Sequence, residues 1–156
     1  MFTLWQRVRK RFINLYPPFL GAGIRSHFVD EYTIRVEMKL TPLNRNLVDV
    51  HFGGSLYAMC DPWFMIILMN QLGEEYIVWD KAANIQFIKP GRGKVFATFH
   101  VPPEKVDEIR QTVRGGQKIE PTFLVDVVDE QGQVIAHVDK LLYIRRKRSQ
   151  PAGKST

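Results

Sequence analysis

Residues 44–61 read Asn-Arg-Asn-Leu-Val-Asp-Val-His-Phe-Gly-Gly-Ser-Leu-Tyr-Ala-Met-Cys-Asp, and they hold the residue types best suited to chemistry. His51-Phe52-Gly53-Gly54 ends a polar, turn-rich segment and opens an apolar, helix-forming one. A glycine pair at a helix start exposes backbone N–H groups at the positive end of the helix dipole, which suits a developing oxyanion. Asp61 follows Gly54 after about two helical turns. A lone carboxylate in an apolar helix is costly unless it is paired, hydrogen-bonded or chemically useful. Two such features bracket one small reacting group.

Asp61 also has a structural reading. Asp61-Pro62 is a good pair for the cap and first position of a helix, so Asp61 would cap a second helical segment. Pro62 has no N–H for the Ala58 carbonyl, which predicts a bend or break between them. For His51, a hydrogen-bonding role in its loop is the simpler alternative to catalysis. Asp49 reads as a loop residue, and His100 and His137 fall on strand faces. Cys60 is the only cysteine, so no intrachain disulfide forms, which suits a reducing compartment such as the cytoplasm. Within its apolar stretch it reads as a small buried hydrophobe. No His, Cys and carboxylate grouping has metal-ligand spacing, and no cofactor is expected.

The elements that must position these groups follow from periodicity. Residues 2–16 have apolar positions at helical spacing (Trp5, Val8, Phe12, Leu15) and are expected to stop at Pro17-Pro18. Thr33–Leu40 alternates strictly, as in a half-buried strand. A polar loop spans 42–53. Helix is expected from about Gly54 to Leu72, apolar all round from Trp63 to Met69 and therefore buried on all sides. That apolar run is too short to span a bilayer. Strands follow over Lys81–Ile88 and Val95–Val101, joined by Pro90-Gly91-Arg92-Gly93. Pro103–Arg114 is a short helix with Val106, Ile109 and Val113 on one face. Phe123–Val128 and Val134–Ile144 are strands around the turn Asp129-Glu130-Gln131-Gly132. The compact solution is α+β: an antiparallel sheet curled around one long apolar helix.

The 156 residues fit one domain, and 45% hydrophobic content can build a core. The formal charge of +6 gathers at the ends, in Arg7, Arg9, Lys10 and Arg11 and again in Arg145, Arg146, Lys147, Arg148 and Lys154. No aromatic residues interleave these charges on a strand platform, which argues against nucleic acid and for solvated ends.

These residues resemble the hotdog-fold thioesterase superfamily, nearest its phenylacetate-pathway type and related uncharacterised hotdog proteins. The likeness rests on His51-x-Gly53-Gly54 opening the central helix and on Asp61 at the position of a helix carboxylate. Ile85-Gln86-Phe87-Ile88-Lys89-Pro90, then Gly93-Lys94-Val95, adds to it, as do the closing strands around Gly132. It covers roughly 20–146, with 1–19 as an N-terminal amphipathic helix and 147–156 as a basic tail. In the family, histidine directly precedes the glycine pair; here Phe52 intervenes. The family's asparagine maps to Asn44 or Asn46.

The resemblance implies hydrolysis of an acyl-CoA or acyl-carrier thioester without a metal or cofactor. The Gly54 or Ser55 N–H would polarise the carbonyl, and Asp61 of the facing subunit would serve as base or nucleophile. Asn46 or His51, beside Gly53, would orient the acyl group, and Lys89, Arg92 and Lys94 would meet coenzyme A phosphates. A homodimer or tetramer is implied. The alternative is a non-catalytic hotdog protein that binds acyl thioesters or fatty acids in the same groove. Dehydratase chemistry is disfavoured, because no glutamate lies on the central helix before Glu74.

Overall fold

A computed structural model describes residues 12–147. The basic tail from 148 and most of the helix expected over 2–16 lie outside these residues, with Arg7, Arg9, Lys10, Arg11, Arg148 and Lys154. The described part of that segment ends in a 3-10 turn, Ile13–Leu15.

Pro17-Pro18 does not simply end a helix, as expected; it opens another, α1 (Pro17–Ala22). A proline at the first helical position gives up an N–H that has no intrahelical partner, and the preceding Tyr16 is extended, as a residue before proline prefers. Gly23 ends α1 in the left-handed region, at φ 71°. Strand β1 (Ile24–Phe28) follows and pairs antiparallel with β2 (Thr33–Lys39). β1 is an edge strand, and an asparagine stands beside it. Asn14 accepts from the Ser26 N–H at 2.8 Å and donates to the Ser26 carbonyl at 3.1 Å. Its amide thus takes the place of a neighbouring strand at that point.

The expected continuous helix is two helices, α2 (Gly53–Ala58) and α3 (Trp63–Leu72). The break falls where Pro62 predicts it. One freed carbonyl is recovered by a side chain: the buried Trp63 donates its indole N–H to the Met59 carbonyl at 2.7 Å. Pro62, not Asp61, is the cap of α3, and no side chain caps its N-terminus. The capping role for Asp61 is therefore corrected; a carboxylate cap needs free N–H groups in reach, and this one is engaged elsewhere.

Strand β3 (Tyr76–Phe87) begins five residues before its expected start, and β4 (Lys94–His100) lies within a residue of expectation. Helix α4 (Pro103–Thr112) buries Val106 and Ile109. The short β5 (Lys118–Ile119), β6 (Thr122–Asp129) and β7 (Val134–Arg146) complete the sheet. Its order is β1-β2-β4-β6-β7-β3, and every pairing is antiparallel. β5 pairs with β7 in the same register as β6 does, so the two are one strand line interrupted at Glu120-Pro121.

Helix α3 touches β2 and β4 and also β3, which lies at the far end of the strand order. The sheet must curl for one ten-residue helix to reach both. The expected α+β architecture is present, and α3 supplies the centre of the core. Trp63 and Phe64 meet Phe99 of β4, and Phe64 stacks on Phe123 of β6 at 5.0 Å. Each such side chain contributes roughly 1.5–3 kcal/mol through burial. The helix is not buried on all sides, however. Trp63, Phe64, Ile67, Leu68 and Leu72 are buried, while Met65 and Ile66 are half-buried and Met69 is 45% exposed. The apolar circumference exceeds what one curled sheet can cover. No helix among the described residues is long and apolar enough to cross a membrane.

Candidate active site

Asp61 sits in the break between α2 and α3, where the chain is released from helical geometry. Its Oδ1 accepts a hydrogen bond from the Tyr57 hydroxyl at 2.8 Å and another from the Lys140 ammonium at 3.0 Å. Both fall on one oxygen. Oδ2 has no partner among the described residues, and the side chain is 48% exposed. Tyr57 stands one helical turn before Asp61 on α2, which brings the two side chains together. Lys140 comes from the middle of β7 and is fully buried. It also donates to the Tyr57 hydroxyl at 3.2 Å and lies 3.2 Å from Asp80 Oδ1 on β3. That second ion pair is close without the alignment of a hydrogen bond, and Asp80 Oδ1 otherwise lacks a donor.

Burial pulls the Lys140 ammonium down, but the Asp61 hydrogen bond and the charges of Asp80 and Asp61 outweigh it; the net shift is upward. Lys140 therefore stays a cation. Burial pushes the Asp80 carboxyl up, against the pull of Lys140. The Tyr57 phenol is also raised, first by burial and then by its bond to Asp61. The cluster holds one carboxylate oxygen in place and leaves the other free to accept a proton or attack a carbon.

Lys140, Tyr57 and Asp80 were not among the residues expected from the sequence. One signal was present. Along β7 the inward face runs Ala136, Val138, Lys140, Leu142 and Ile144, so a charged residue interrupts a buried apolar file. Such a lysine demands a carboxylate partner.

Four of the remaining expected residues form a second cluster, and Gly54, Ser55 and Arg92 stand outside its lining. Asn46, His51, Gly53 and Lys89 line a cavity of about 410 Å³ with Phe87 and Pro90. Asp61 does not line it; it lines a different groove of about 1000 Å³. Asn44 is 1% exposed and fully engaged, accepting from the Thr41 N–H and donating to the Ala22 and Lys39 carbonyls. It shapes the loop. Asn46 accepts from the Val48 and Val50 N–H groups, and its amide nitrogen has no acceptor among the described residues. His51 is 2% exposed, and its Nε2–H donates to the Gly93 carbonyl at 3.1 Å, leaving Nδ1 as an acceptor with no partner among the described residues. Burial lowers its pKa despite that bond, so the ring is neutral.

The helix-start amides divide unevenly. The Ser55 N–H already donates to the Phe52 carbonyl at 2.9 Å, so it is not available to an oxyanion. The expectation for Ser55 is corrected: a tight turn at the start of α2 consumes its donor. The Gly53 and Gly54 N–H groups have no acceptor among the described residues. The exposed Phe52 ring lies over Gly54, where a Cβ would come within 2.4 Å of a ring carbon. Glycine is required there while the ring keeps that place.

The basic residues separate likewise. Lys94 is paired with Glu37 at 2.7 Å. Lys89 donates to the Gln133 side chain, and Arg92 reaches the Asp49 carbonyl at 3.4 Å; both are exposed. Cys60 is fully buried, and burial pushes its thiol up to about 12, so it is no nucleophile.

Comparison with known proteins bears on the fold. No curated protein matches the chain. Among solved structures, a Pseudomonas aeruginosa protein of unknown function described as a probable thioesterase aligns with TM-score 0.82 at 17% identity, covering 94% of this chain and 97% of its own. A Haemophilus influenzae thioesterase aligns with TM-score 0.66 at 16% identity, covering 96% of each chain. The E. coli PaaI protein of the phenylacetic acid degradation operon aligns with TM-score 0.63 at 20% identity, covering 92% and 93%. The fold is the hotdog fold, and the chain's likeness is to hotdog thioesterases. The model of the family described as a domain of unknown function (DUF4442) matches residues 6–144, and the chain belongs to that family.

Proposed function

We propose that this protein hydrolyses acyl thioesters, with acyl-CoA or an acyl carrier as substrate. One observation carries the reading: Asp61 is pinned through Oδ1 by Tyr57 and Lys140, Oδ2 has no partner among the described residues, and the half-exposed side chain lines a groove. A carboxylate oriented by two donors on one oxygen is placed to use the other as a base or nucleophile. In the base mechanism Oδ2 takes a proton from water as the water oxygen adds to the thioester carbon. The C–S bond then breaks, and the thiolate leaves and takes up that proton. In the nucleophilic variant Oδ2 adds to the thioester carbon, the C–S bond breaks and the thiolate leaves; water then hydrolyses the resulting anhydride, which regenerates the Asp61 carboxylate and supplies the proton the thiolate takes up.

Asp61 and Gly53 line separate cavities within one chain. This favours a site shared by two subunits, with Asp61 of one facing the Gly54 N–H of the other as oxyanion donor. Asn46 has its amide nitrogen free to orient the acyl carbonyl, and His51 braces the loop. Lys89 and Arg92 are the exposed cations for coenzyme A phosphates.

Release of free thiol from short, medium, long and aromatic acyl-CoAs tests the reading. Asp61→Asn retains shape and removes the base, and should lower turnover by about 10²–10⁴-fold with folding intact. An Asp61→Asn protein that turns over normally would remove Asp61 from the mechanism. Wild-type protein that binds these thioesters without cleaving any of them would establish the non-catalytic alternative.

A further inference from the structure

Lys140 is fully buried, so its charge reaches the groove only through the groups it touches. One of these is the Tyr57 hydroxyl, which accepts from the ammonium at 3.2 Å and gives its own proton to Asp61 Oδ1 at 2.8 Å. Tyr57 is half-buried and lines the same groove as Asp61. Within the described lining it is the one side-chain donor bonded to that carboxylate. We propose that Tyr57 is a second catalytic residue, whose hydroxyl turns from Asp61 to the thioester oxygen as negative charge passes from the carboxylate to that oxygen. The proposal rests on the reading of Asp61 as the reacting carboxylate and adds an oxyanion donor from the same subunit.

Before reaction the negative charge is on Asp61. When Oδ2 takes a proton from water and the water oxygen adds to the thioester carbon, the C=O electron pair moves onto the thioester oxygen. Asp61 is then neutral and that oxygen carries the charge. A hydroxyl proton swings about a single bond, so Tyr57 follows the charge with no movement of its ring. A carboxylate spreads its charge over two oxygens, whereas the oxyanion concentrates it on one and holds a donor more strongly. The bond is therefore tighter as the oxyanion develops than in the resting state, which lowers the barrier. Lys140 donates to the hydroxyl from behind, and a donor that is itself an acceptor in a hydrogen-bond chain is strengthened. On collapse the C=O bond re-forms, the C–S bond breaks, and the thiolate takes the proton from Asp61 as Tyr57 turns back. Tyr57 keeps its own proton throughout, in keeping with a phenol raised by burial and by its bond to Asp61. The start of α2 leaves room for such a donor, because the Ser55 N–H is already given to the Phe52 carbonyl.

The test compares kcat and KM for the acyl-CoA that wild type cleaves fastest, in full-length wild type, in Tyr57→Phe, and in protein with Tyr57 replaced by a ring-fluorinated tyrosine. Phenylalanine keeps the ring that lies 5.2 Å from the Lys140 ammonium, and Lys140 still holds Asp61 Oδ1. The fold and the place of Asp61 should therefore be retained. Tyr57→Phe should lower kcat about 10²–10³-fold with little change in KM. Fluorine makes the phenol a stronger donor, and the fluorinated protein is assayed below the pH at which its phenol titrates. A hydroxyl that serves the oxyanion should then raise kcat. A hydroxyl that only holds Asp61 should lower it, because a stronger bond to the carboxylate weakens it as a base. A fluorinated protein no faster than wild type would overturn the proposal and leave the thioesterase reading standing. So would a Tyr57→Phe protein with normal kcat, or with a change in KM alone. Should Tyr57→Phe fail to fold, the fluorinated protein decides by itself. Wild type that cleaves no acyl-CoA would overturn the thioesterase reading and this role of Tyr57 together.

Discussion

Lys140 of β7 and Asp61 of the helix break meet at 3.0 Å, joining two elements 79 residues apart. The lysine has no exposure and the aspartate has half. This asymmetry fits a positioning device: the cation is locked in the core, and the carboxylate it holds looks outward. Lys140→Met removes the ammonium that compensates the partly buried Asp80. It should destabilise the protein by about 2–4 kcal/mol, somewhat below a fully buried pair because Asp61 is solvated. Urea denaturation measures this. Adding Asp80→Asn to Lys140→Met should recover part of the loss, since the uncompensated carboxylate is then gone. Strict additivity of the two changes would separate Asp80 from the cluster.

The indole of Trp63 satisfies the Met59 carbonyl at the helix break. Trp63→Phe keeps an aromatic ring but strands a buried acceptor and leaves a small void. A loss of about 2–4 kcal/mol is expected from the two effects together. An unchanged denaturation midpoint would mean that water or a straightened helix replaces the indole.

A shared site predicts complementation. Gly54→Val places a Cβ against the Phe52 ring and should block the oxyanion amide. Asp61→Asn and Gly54→Val proteins should each be inactive alone. Unfolded together and refolded, they should form mixed dimers with one intact site and regain about a quarter of wild-type turnover. No recovery, with dimers confirmed by light scattering, would place both groups in one subunit's site.

His51 supplies a pH signature. Its folded pKa lies below the ordinary 6.5, chiefly through burial. The unfolded chain therefore binds a proton that the folded chain refuses in the window just below 6.5. The His51 contribution is fully present above that value and is lost as pH falls through the window towards the folded pKa. Thermal scans across it should show a falling melting temperature in wild type and a flatter dependence in His51→Gln. Equal slopes in the two proteins would count against a buried neutral ring.

The sequence by itself determined the local geometry and the identity of the reactive candidate. Alternation from Thr33 to Lys39 and from Val134 to Ile144 is a period-two signal carried by neighbouring residues, so those strands were legible. Pro62 announces the helix break because the missing N–H is a property of one residue. The start of β3 was not legible, since Tyr76 to Trp79 is a short apolar run whose strand state depends on pairing with β7. Pro17 is ambiguous in the sequence for a related reason: proline stops one helix and starts the next equally well. Tertiary structure alone decided the surroundings of the candidate site. Whether Asp61 capped a helix or faced a groove depended on a lysine in a distant strand, because a buried ammonium outcompetes backbone N–H groups for a carboxylate. The sheet's curl decided which side of α3 stayed open, a matter of how much surface one sheet can cover and not of any residue on the helix.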